Sequence, residues 1–209
     1  MTTLPAFLIA DVRVINREKY DEYRVMFRSC VKRHGGRFLA RGQEPEVVQG
    51  GWHPPRMLLV EFASGADADA MIASEEYRAL EVMRGNRAMF DIVVAQGVDA
   101  SRYSRSLDAP VFAIADARIV NRPAFEDFRK AIDAAVRRHK GRYLVVTDKA
   151  ATVAGNWAPT FLSVMEFPSR ELALRAHTSA GYQKVRDLGN NAAMIDMVLL
   201  SGASADVPD

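Results

Sequence analysis

One stretch of this chain occurs twice, and that repetition constrains the fold more than any other feature. Residues 7–17 read FLIADVRVINR, and residues 112–122 read FAIADARIVNR, an offset of 112 − 7 = 105. The same offset pairs His34 with His139, and no insertion or deletion is needed across the first copy. A sequence that repeats itself in this way predicts two copies of one structural unit.

Each copy follows the pattern of a β-α-β-β-α-β unit. Apolar residues alternate over residues 7–14, as in a strand, and Asn16 can then cap a helix that runs to His34 and is stopped by the glycines at 35–36. Ser64 and Ser74 resemble helix caps, so the second helical region is predicted to break at Ser74. In this split arrangement four antiparallel strands carry two helices on one face. The predicted strand segments are residues 7–14, residues 38–41 joined with 46–49 across Gly42 and Pro45, residues 56–62 and residues 88–96.

The uncovered face of each sheet needs a partner. That face is expected to be apolar through Ile9, Ile114, Ile92 and Met197. A second copy of the same sheet is the natural cover, so we predict a pseudo-twofold barrel made by one chain, with the helices outside. The predicted division is residues 6–98 for the first unit, 99–110 for a linker, 111–203 for the second unit and 204–209 for a tail.

Composition argues against several function classes. The net charge of +2, with both signs interspersed, offers no basic face for a nucleic acid. No apolar run approaches the roughly 20 residues that cross a bilayer, and the first residues lack the features of a secretory signal. We therefore expect a cytoplasmic protein with no membrane and no nucleic-acid partner. The single cysteine, Cys30, cannot form an internal disulfide and is expected to be a small core residue.

Several short motifs of the first copy are similar to those of a known family. Together they resemble the family named domain of unknown function 1330, in the superfamily of dimeric α+β barrels. The resemblance covers both copies and implies an α+β fold in which two ferredoxin-like βαββαβ units form an intramolecular dimeric α+β barrel. The motifs are Tyr23, residues 34–42 (HGGRFLARG), Gly50 with Trp52 and Pro54, Glu61 with Phe62, and residues 74–80 (SEEYRAL) followed by Arg84.

The resemblance also bears on assembly and chemistry. Most family members look like single copies that would dimerise, so this chain resembles a fused dimer, a monomer with an internal pseudo-dimer that could dimerise further. The superfamily so implied contains cofactor-free monooxygenases, isomerases and lyases, and also haem enzymes such as chlorite dismutase-like proteins. Their ligand pocket usually lies between the sheet and the helices of each unit. The fold alone does not choose a reaction.

The two copies differ at the most polar positions of the motif. Arg41 corresponds to Val146, and Arg84 corresponds to Gly189. If both arginines reach one cavity, the first copy alone could hold the carboxylate or enolate of a small molecule through fork-like hydrogen bonds. The alternative is two surface arginines paired with Glu44 or Glu81.

Tyr23 and Trp52 complete the predicted substrate-binding set. Tyr23 belongs to the family motif and recurs with other apolar residues along the first helix. Trp52 follows a glycine turn and precedes a proline, where it either roofs the pocket or packs over the sheet edge.

Three side chains are candidates for proton transfer. Tyr77 opens a helical segment and would suit enolisation or β-elimination, with core packing as the alternative. His34 stands before the helix-ending glycines, where an imidazole is either a general base or simply favoured by the helix dipole. Glu61 interrupts an apolar strand, so it is either a catalytic acid or base or a paired carboxylate. For Asp11 with Arg13, an ion-pair lattice across the pseudo-dimer is the economical explanation.

We expect no metal and no cofactor, because no second histidine, cysteine or carboxylate stands at ligand spacing near His34. The leading hypothesis is a cofactor-independent lyase, isomerase or monooxygenase. It would act on a small anionic or aromatic molecule by proton transfer in a pocket of the first unit. The alternative is a non-catalytic small-ligand-binding or assembly module, and haem binding is a third reading.

Overall fold

The computed structural model describes residues 3–85, 87–99, 110–178, 186–187 and 189–203. The predicted tail and all but the ends of the predicted linker lie outside the described residues. Within the described ranges, no helix is both long and apolar enough to cross a membrane.

Local capping determines where the helices of the first unit begin. The Asn16 side chain accepts a hydrogen bond from the Lys19 backbone N–H at 3.0 Å. Ser74 accepts from the Tyr77 N–H at 3.1 Å and separates two helices, as predicted. The elements are β1 (Ala6–Val14), α1 (Arg17–Arg33), β2 (Arg37–Gln43), β3 (Glu46–Gln49), β4 (Arg56–Phe62), α2 (Gly65–Ala73), α3 (Glu75–Arg84) and β5 (Ala88–Gln96).

The second unit repeats this order as far as it is described. Asn121 caps its first helix through the Ala124 N–H, and Pro123 occupies the first turn, where no intrahelical hydrogen bond is lost. The elements are β6 (Val111–Ile119), α4 (Arg122–Arg138), β7 (Arg142–Thr147), β8 (Ala151–Ala154), β9 (Leu162–Phe167), α5 (Arg170–Thr178) and β10 (Ala193–Ser201).

The two antiparallel sheets exchange one strand each. Their orders are β2-β4-β1-β5-β8 and β3-β10-β6-β9-β7, so β3 of the first unit joins the sheet of the second, and β8 joins the sheet of the first. The prediction that residues 38–41 and 46–49 form one strand is therefore wrong. Gly42 does not interrupt β2, and the chain turns at Glu44, whose φ is +51°, and at Pro45.

The core has three layers. One apolar cluster lies between each sheet and its own helices, and a third combines side chains of both units between the two sheets. The cover predicted for each sheet is thus provided by the other sheet. Among the named face residues, Ile9 and Ile114 lie between the sheets, whereas Ile92 and Met197 belong to the helix-side clusters. Successive residues of a strand point to opposite faces, so the neighbours of Ile92 and Met197 take the inner positions.

Candidate functional site

A cleft of about 550 Å³, hereafter the first cleft, lies between α1 and the sheet of the first unit. Its wall on the first unit is aromatic, with Tyr20, Tyr23 and Phe27 from α1 and Phe38 from β2. The end of β10 and the residues after it, 199–203, form part of the lining from the second unit. The site is therefore completed only when the two halves of the chain pack together.

Four half-buried arginines line the first cleft: Arg24, Arg28, Arg41 and Arg56. The Arg41 guanidinium lies 5.6 Å from the Phe38 ring centroid, and that of Arg56 lies 5.5 Å from the Tyr20 ring centroid. Contact with a ring face attracts a guanidinium electrostatically and so favours its position against an aromatic wall.

Acidic groups only partly balance these cations. The first cleft also contains Glu44, Glu46 and an exposed fifth arginine, Arg170. Glu46 accepts hydrogen bonds from Arg170 at 2.7 and 2.6 Å. Among the lining residues, five arginines against two glutamates leave an excess of 5 − 2 = 3 positive charges. Outside the lining, Asp21 pairs with Arg24 at 3.3 Å. An aromatic wall with cations around it suits an organic anion.

The equivalent cleft of the second unit, hereafter the second cleft, has about 600 Å³ and a different lining. At the positions of Arg28, Arg41 and Arg56 it carries Asp133, Val146 and Phe161. The positive side chains that line it, Arg129, Lys130 and Arg137, are exposed. Duplication has thus produced one cationic cleft and one largely apolar cleft.

Arg84 is buried beside the first cleft rather than in its lining. Its Nε donates to the Tyr23 hydroxyl at 3.2 Å, and its Nη2 donates to the Tyr77 hydroxyl at 2.5 Å. The guanidinium also lies over the rings of Tyr77 and Phe90, at 4.9 and 5.1 Å from their centroids. A buried guanidinium is tolerated because hydroxyl oxygens and ring faces replace part of its hydration.

Burial and the contact with Arg84 together set the protonation state of Tyr23. Burial raises the pKa of Tyr23 to about 12, although the Arg84 cation acts against that shift. The Tyr23 hydroxyl accepts from Arg84 and therefore keeps its own hydrogen for donation. Burial also raises the pKa of Tyr77, again opposed by Arg84. Both phenols therefore stay protonated at neutral pH.

The sequence matches the family described as "Domain of unknown function (DUF1330)" over residues 5–98 and 110–203. This chain belongs to the DUF1330 family. The two matches are arranged in tandem and together span most of the chain. No curated protein matches it significantly.

Solved structures share the fold of this DUF1330 protein at low sequence identity. A putative monooxygenase from Lactobacillus acidophilus aligns with a TM-score of 0.55 and 13% identity, over 94% of this chain and 93% of that chain. An anthrone oxidase-like protein aligns at 0.56 and 13%, over 95% and 91%. A mutant chlorite dismutase from Candidatus Nitrospira defluvii aligns at 0.58 and 9%, again over 95% and 91%. These likenesses show that the two DUF1330 units adopt the dimeric α+β barrel fold.

The predicted arginine pair does not converge on one cavity in the DUF1330 structure. Arg41 and Tyr23 line the first cleft, whereas Arg84 and Tyr77 lie behind Tyr23 in the helix-side core. The alternative, a surface Arg84 paired with a glutamate, is only partly met: Arg84 lies 3.9 Å from Glu81, but it is buried, with only 9% exposed. Arg84 thus contacts Tyr23, and Tyr23 lines the cleft.

His34 and Glu61, the other two candidates for proton transfer, line neither cleft. The Nδ1 of His34 is 2.9 Å from the Cys30 carbonyl oxygen at the end of α1. Glu61 accepts from Arg37 at 2.8 Å across the β2–β4 pair. Both side chains have local structural partners, and neither faces the cationic cleft.

Trp52 lies between the two DUF1330 units instead of over the first cleft. Its indole N–H donates to Asp11 at 3.0 Å, and its backbone N–H donates to Asp196 of the second unit at 3.1 Å. Asp11 thus has an indole partner, whereas Arg13 is exposed. The predicted ion-pair lattice is wrong. The aspartate carboxylates instead accept hydrogen bonds from the N–H groups of Trp52 and Trp157, in the loops after β3 and β8.

Haem iron commonly takes a histidine ligand. No histidine among the described residues lines the first cleft, so that cleft does not offer this ligand. His177 lines the second cleft. Burial lowers the pKa of His177 to about 4, so the imidazole is neutral at physiological pH.

The prediction that no further metal ligand lies near His34 is wrong. Cys30 is one helical turn earlier on α1, and α3 brings Glu76 to the same place. An i, i+4 pair on a helix shares one face, which sequence spacing alone could have indicated. Glu76, by contrast, is brought there only by packing.

Arg24, Arg28 and Arg56 were not recognised from the sequence as residues of the cleft. Two signals could have found them. Arg24 and Arg28 are four residues apart on α1, next to the aromatic positions. The comparison of copies that singled out Arg41 also singles out Arg28 and Arg56.

Proposed function

We propose that the first cleft binds a small organic anion with an aromatic ring or another flat, unsaturated body. The supporting observation is the set of four half-buried arginines around an aromatic wall, three of which are replaced in the second cleft. The wall would take the flat part of the ligand, and the arginines would bind its carboxylate or enolate.

The proposed chemistry is cofactor-independent proton transfer next to a carbonyl group. Tyr23 would donate its hydrogen to the oxygen on which negative charge develops, and Arg84 would hold the phenol in place. Glu44 would accept the proton from carbon, because it lines the cleft and no cation pairs with it among the described residues. Such a step can begin the reactions of isomerases, lyases and cofactor-free monooxygenases.

The names of the structural neighbours are compatible with this proposal. One neighbour is named as a putative monooxygenase and another as anthrone oxidase-like. Identities of 13% indicate only a shared fold. The proposal of an aromatic substrate therefore rests on the aromatic wall of the first cleft.

The second unit supplies substitutions for a test of binding. Arg41→Val and Arg56→Phe each introduce the residue that the second unit carries at the same position. Using benzoate and phenylpyruvate as probes, isothermal titration should show that each substitution weakens binding about tenfold, as expected for a lost charged hydrogen bond. Arg129→Ala, in the second cleft, is the matched control and should bind as the wild type does. Equal affinities in all variants would contradict the proposed anion site.

Proton transfer can be followed without knowing the natural reaction. Phenylpyruvate carries exchangeable C–H groups next to its carbonyl, so incubation in D₂O with NMR detection reports abstraction at carbon. We expect wild-type protein to speed this exchange, Tyr23→Phe to slow it with little change in binding, and Glu44→Gln to abolish the acceleration.

A non-catalytic ligand-binding module is the second candidate function. It is favoured by the positions of Tyr77, His34 and Glu61, none of which lines the first cleft. Under this alternative the arginine substitutions still weaken binding, but wild-type protein does not accelerate exchange for any carbon acid that it binds. The two experiments together therefore separate the two functions.

A further inference from the structure

We propose that Cys30, His34 and Glu76 form a zinc-binding site in the first unit. One ligand atom from each side chain lies within 4.8 Å of the other two. None of the three lines either cleft, so this site is separate from the proposed anion site. A thiolate, an imidazole and a carboxylate form a ligand set typical of Zn²⁺, and three protein ligands leave a fourth position for water.

The backbone prepares the histidine for this role. The Nδ1 of His34 is 2.9 Å from the Cys30 carbonyl oxygen, and a carbonyl can only accept, so Nδ1 carries the hydrogen. In the neutral ring Nε2 is then the unprotonated nitrogen, and its lone pair can bind a metal. Metal-binding histidines commonly donate their other ring N–H to a carbonyl in this way.

Packing of α3 against α1 completes the ligand set. Cys30 and His34 are one turn apart at the end of α1, where the helix dipole favours a cation. Glu76 comes from the first turn of α3. Zinc distances of about 2.3 Å to sulfur and about 2.0 Å to nitrogen require the ligand atoms to approach by roughly 1 Å, which side-chain rotation can supply.

Two contacts compete with the metal and must give way. Glu76 is ion-paired with Arg33, whose side chain is 64% exposed and can therefore move into solvent. The buried Cys30 thiol lies beside Ser74, and zinc binds a thiolate, so binding must release the thiol proton. Both contacts lower the affinity for zinc without removing any of the three ligands.

The second unit offers an internal control. His139 occupies the position of His34, and its Nδ1 also lies 2.9 Å from a carbonyl oxygen, that of Ala135. Ala135 stands where the first unit has Cys30, so the sulfur ligand is missing. The same helix end with the same histidine orientation should therefore not bind zinc.

The test is zinc retention by the full chain. Protein stripped with a chelator, equilibrated with Zn²⁺ and desalted should retain one zinc ion per chain by atomic emission. Cys30→Ser, His34→Gln and Glu76→Gln should each lose it, and His139→Gln should keep it. His34 and Glu76 are only half-buried, so those variants inform even if Cys30→Ser is misfolded. Co²⁺ in place of zinc should give a thiolate charge-transfer band that Cys30→Ser lacks.

Arg33→Ala provides a test that a purely structural cluster would fail. Removing the competing cation should tighten zinc binding by up to about fivefold, the range expected for an exposed ion pair. A chromophoric zinc chelator measures this change by competition. The proposal is overturned if wild-type protein keeps no zinc after desalting, or if a folded Cys30→Ser variant keeps as much as the wild type.

Discussion

Trp52 of the first unit and Trp157 of the second contact each other, with ring centroids 5.0 Å apart and ring planes inclined at 45°. Each indole N–H donates to a carboxylate of its own unit, Asp11 at 3.0 Å and Asp116 at 2.8 Å. Each tryptophan backbone N–H reaches a carboxylate of the other unit. The tryptophan pair therefore joins the two halves through polar contacts as well as through ring packing.

Trp52→Phe keeps a ring at this junction but removes the indole donor. Asp11 then loses its indole partner in a half-buried position, so the free energy of unfolding should fall by at least about 1 kcal/mol. Urea denaturation measures the loss. Trp157→Phe should behave alike because of the pseudo-symmetry, and the double variant should depart from additivity. Replacing the exposed Arg13 by Ala should leave stability unchanged.

Gly50 and Gly51 should respond very differently to alanine. Gly50 has a φ of +82°, and an added Cβ would lie 2.1 Å from the Asp196 carboxylate and 2.7 Å from the Ile195 carbonyl oxygen. Nothing lies within 4 Å of the equivalent atom at Gly51. We expect Gly50→Ala to lower the unfolding free energy by about 2 kcal/mol or more, from strain and from loss of the Asp196 contacts. Similar thermal midpoints for the two variants would contradict this account.

Buried His177 should make the protein less stable in mild acid. Its pKa is lowered from 6.5 to about 4, so below pH 6.5 the unfolded chain binds a proton that the native state does not. This group's contribution to stability is lost as the pH falls through that window, by up to about 3 kcal/mol. His177→Ile, which introduces the first unit's residue, should reduce the loss in denaturation curves recorded across the window. Substitution of the exposed His53 by Gln should not.

At Asp11 the protein's stability should depend on pH in the opposite direction, and Asp11→Asn tests this. Burial raises the pKa of Asp11 above 3.8, with the Trp52 hydrogen bond acting against that shift. Between the pKa of Asp11 in the unfolded chain and its higher pKa in the folded protein, the native state binds more protons than the unfolded state. Stability therefore falls as the pH rises through the folded pKa. The asparagine variant should therefore gain stability over wild type near neutral pH and lose that advantage in acid. An advantage that does not depend on pH would rule out this origin.

Arg84→Met should measure how much the hydrogen bonds from Arg84 to the two buried tyrosines contribute to stability. Two phenol oxygens lose their donor, so we expect a loss of about 2 kcal/mol in unfolding free energy. In the second unit Phe128 replaces Tyr23, and its ring occupies the space that a Cβ at Gly189, the position of Arg84, would enter. Adding Tyr23→Phe to Arg84→Met should accordingly restore part of the loss. Arg78→Met, on the exposed side of α3, is the control.

The internal repeat predicted most of the fold. Asn16, Ser64 and Ser74 begin helices where the sequence places them, because a cap depends on residues within one turn. The exchange of β3 and β8 was not predicted, since strand pairing depends on distant partners that no local pattern names. The site divides in the same way. Arg41 and Tyr23 were found by motif and by comparison of the copies, whereas the position of Arg84 behind Tyr23 required the packed helices.

What the sequence determined alone was the duplication, the helix boundaries and the loss of arginines from the second copy. The tertiary structure decided which side chains share a space: the four arginines around an aromatic wall, the tyrosine pair on Arg84, and Glu76 beside Cys30. The physical reason is the distance along the chain over which each interaction acts. Hydrogen bonds to caps and the periodicity of apolar residues act over a few positions, whereas a cleft is made by elements that meet only after the sheets have packed.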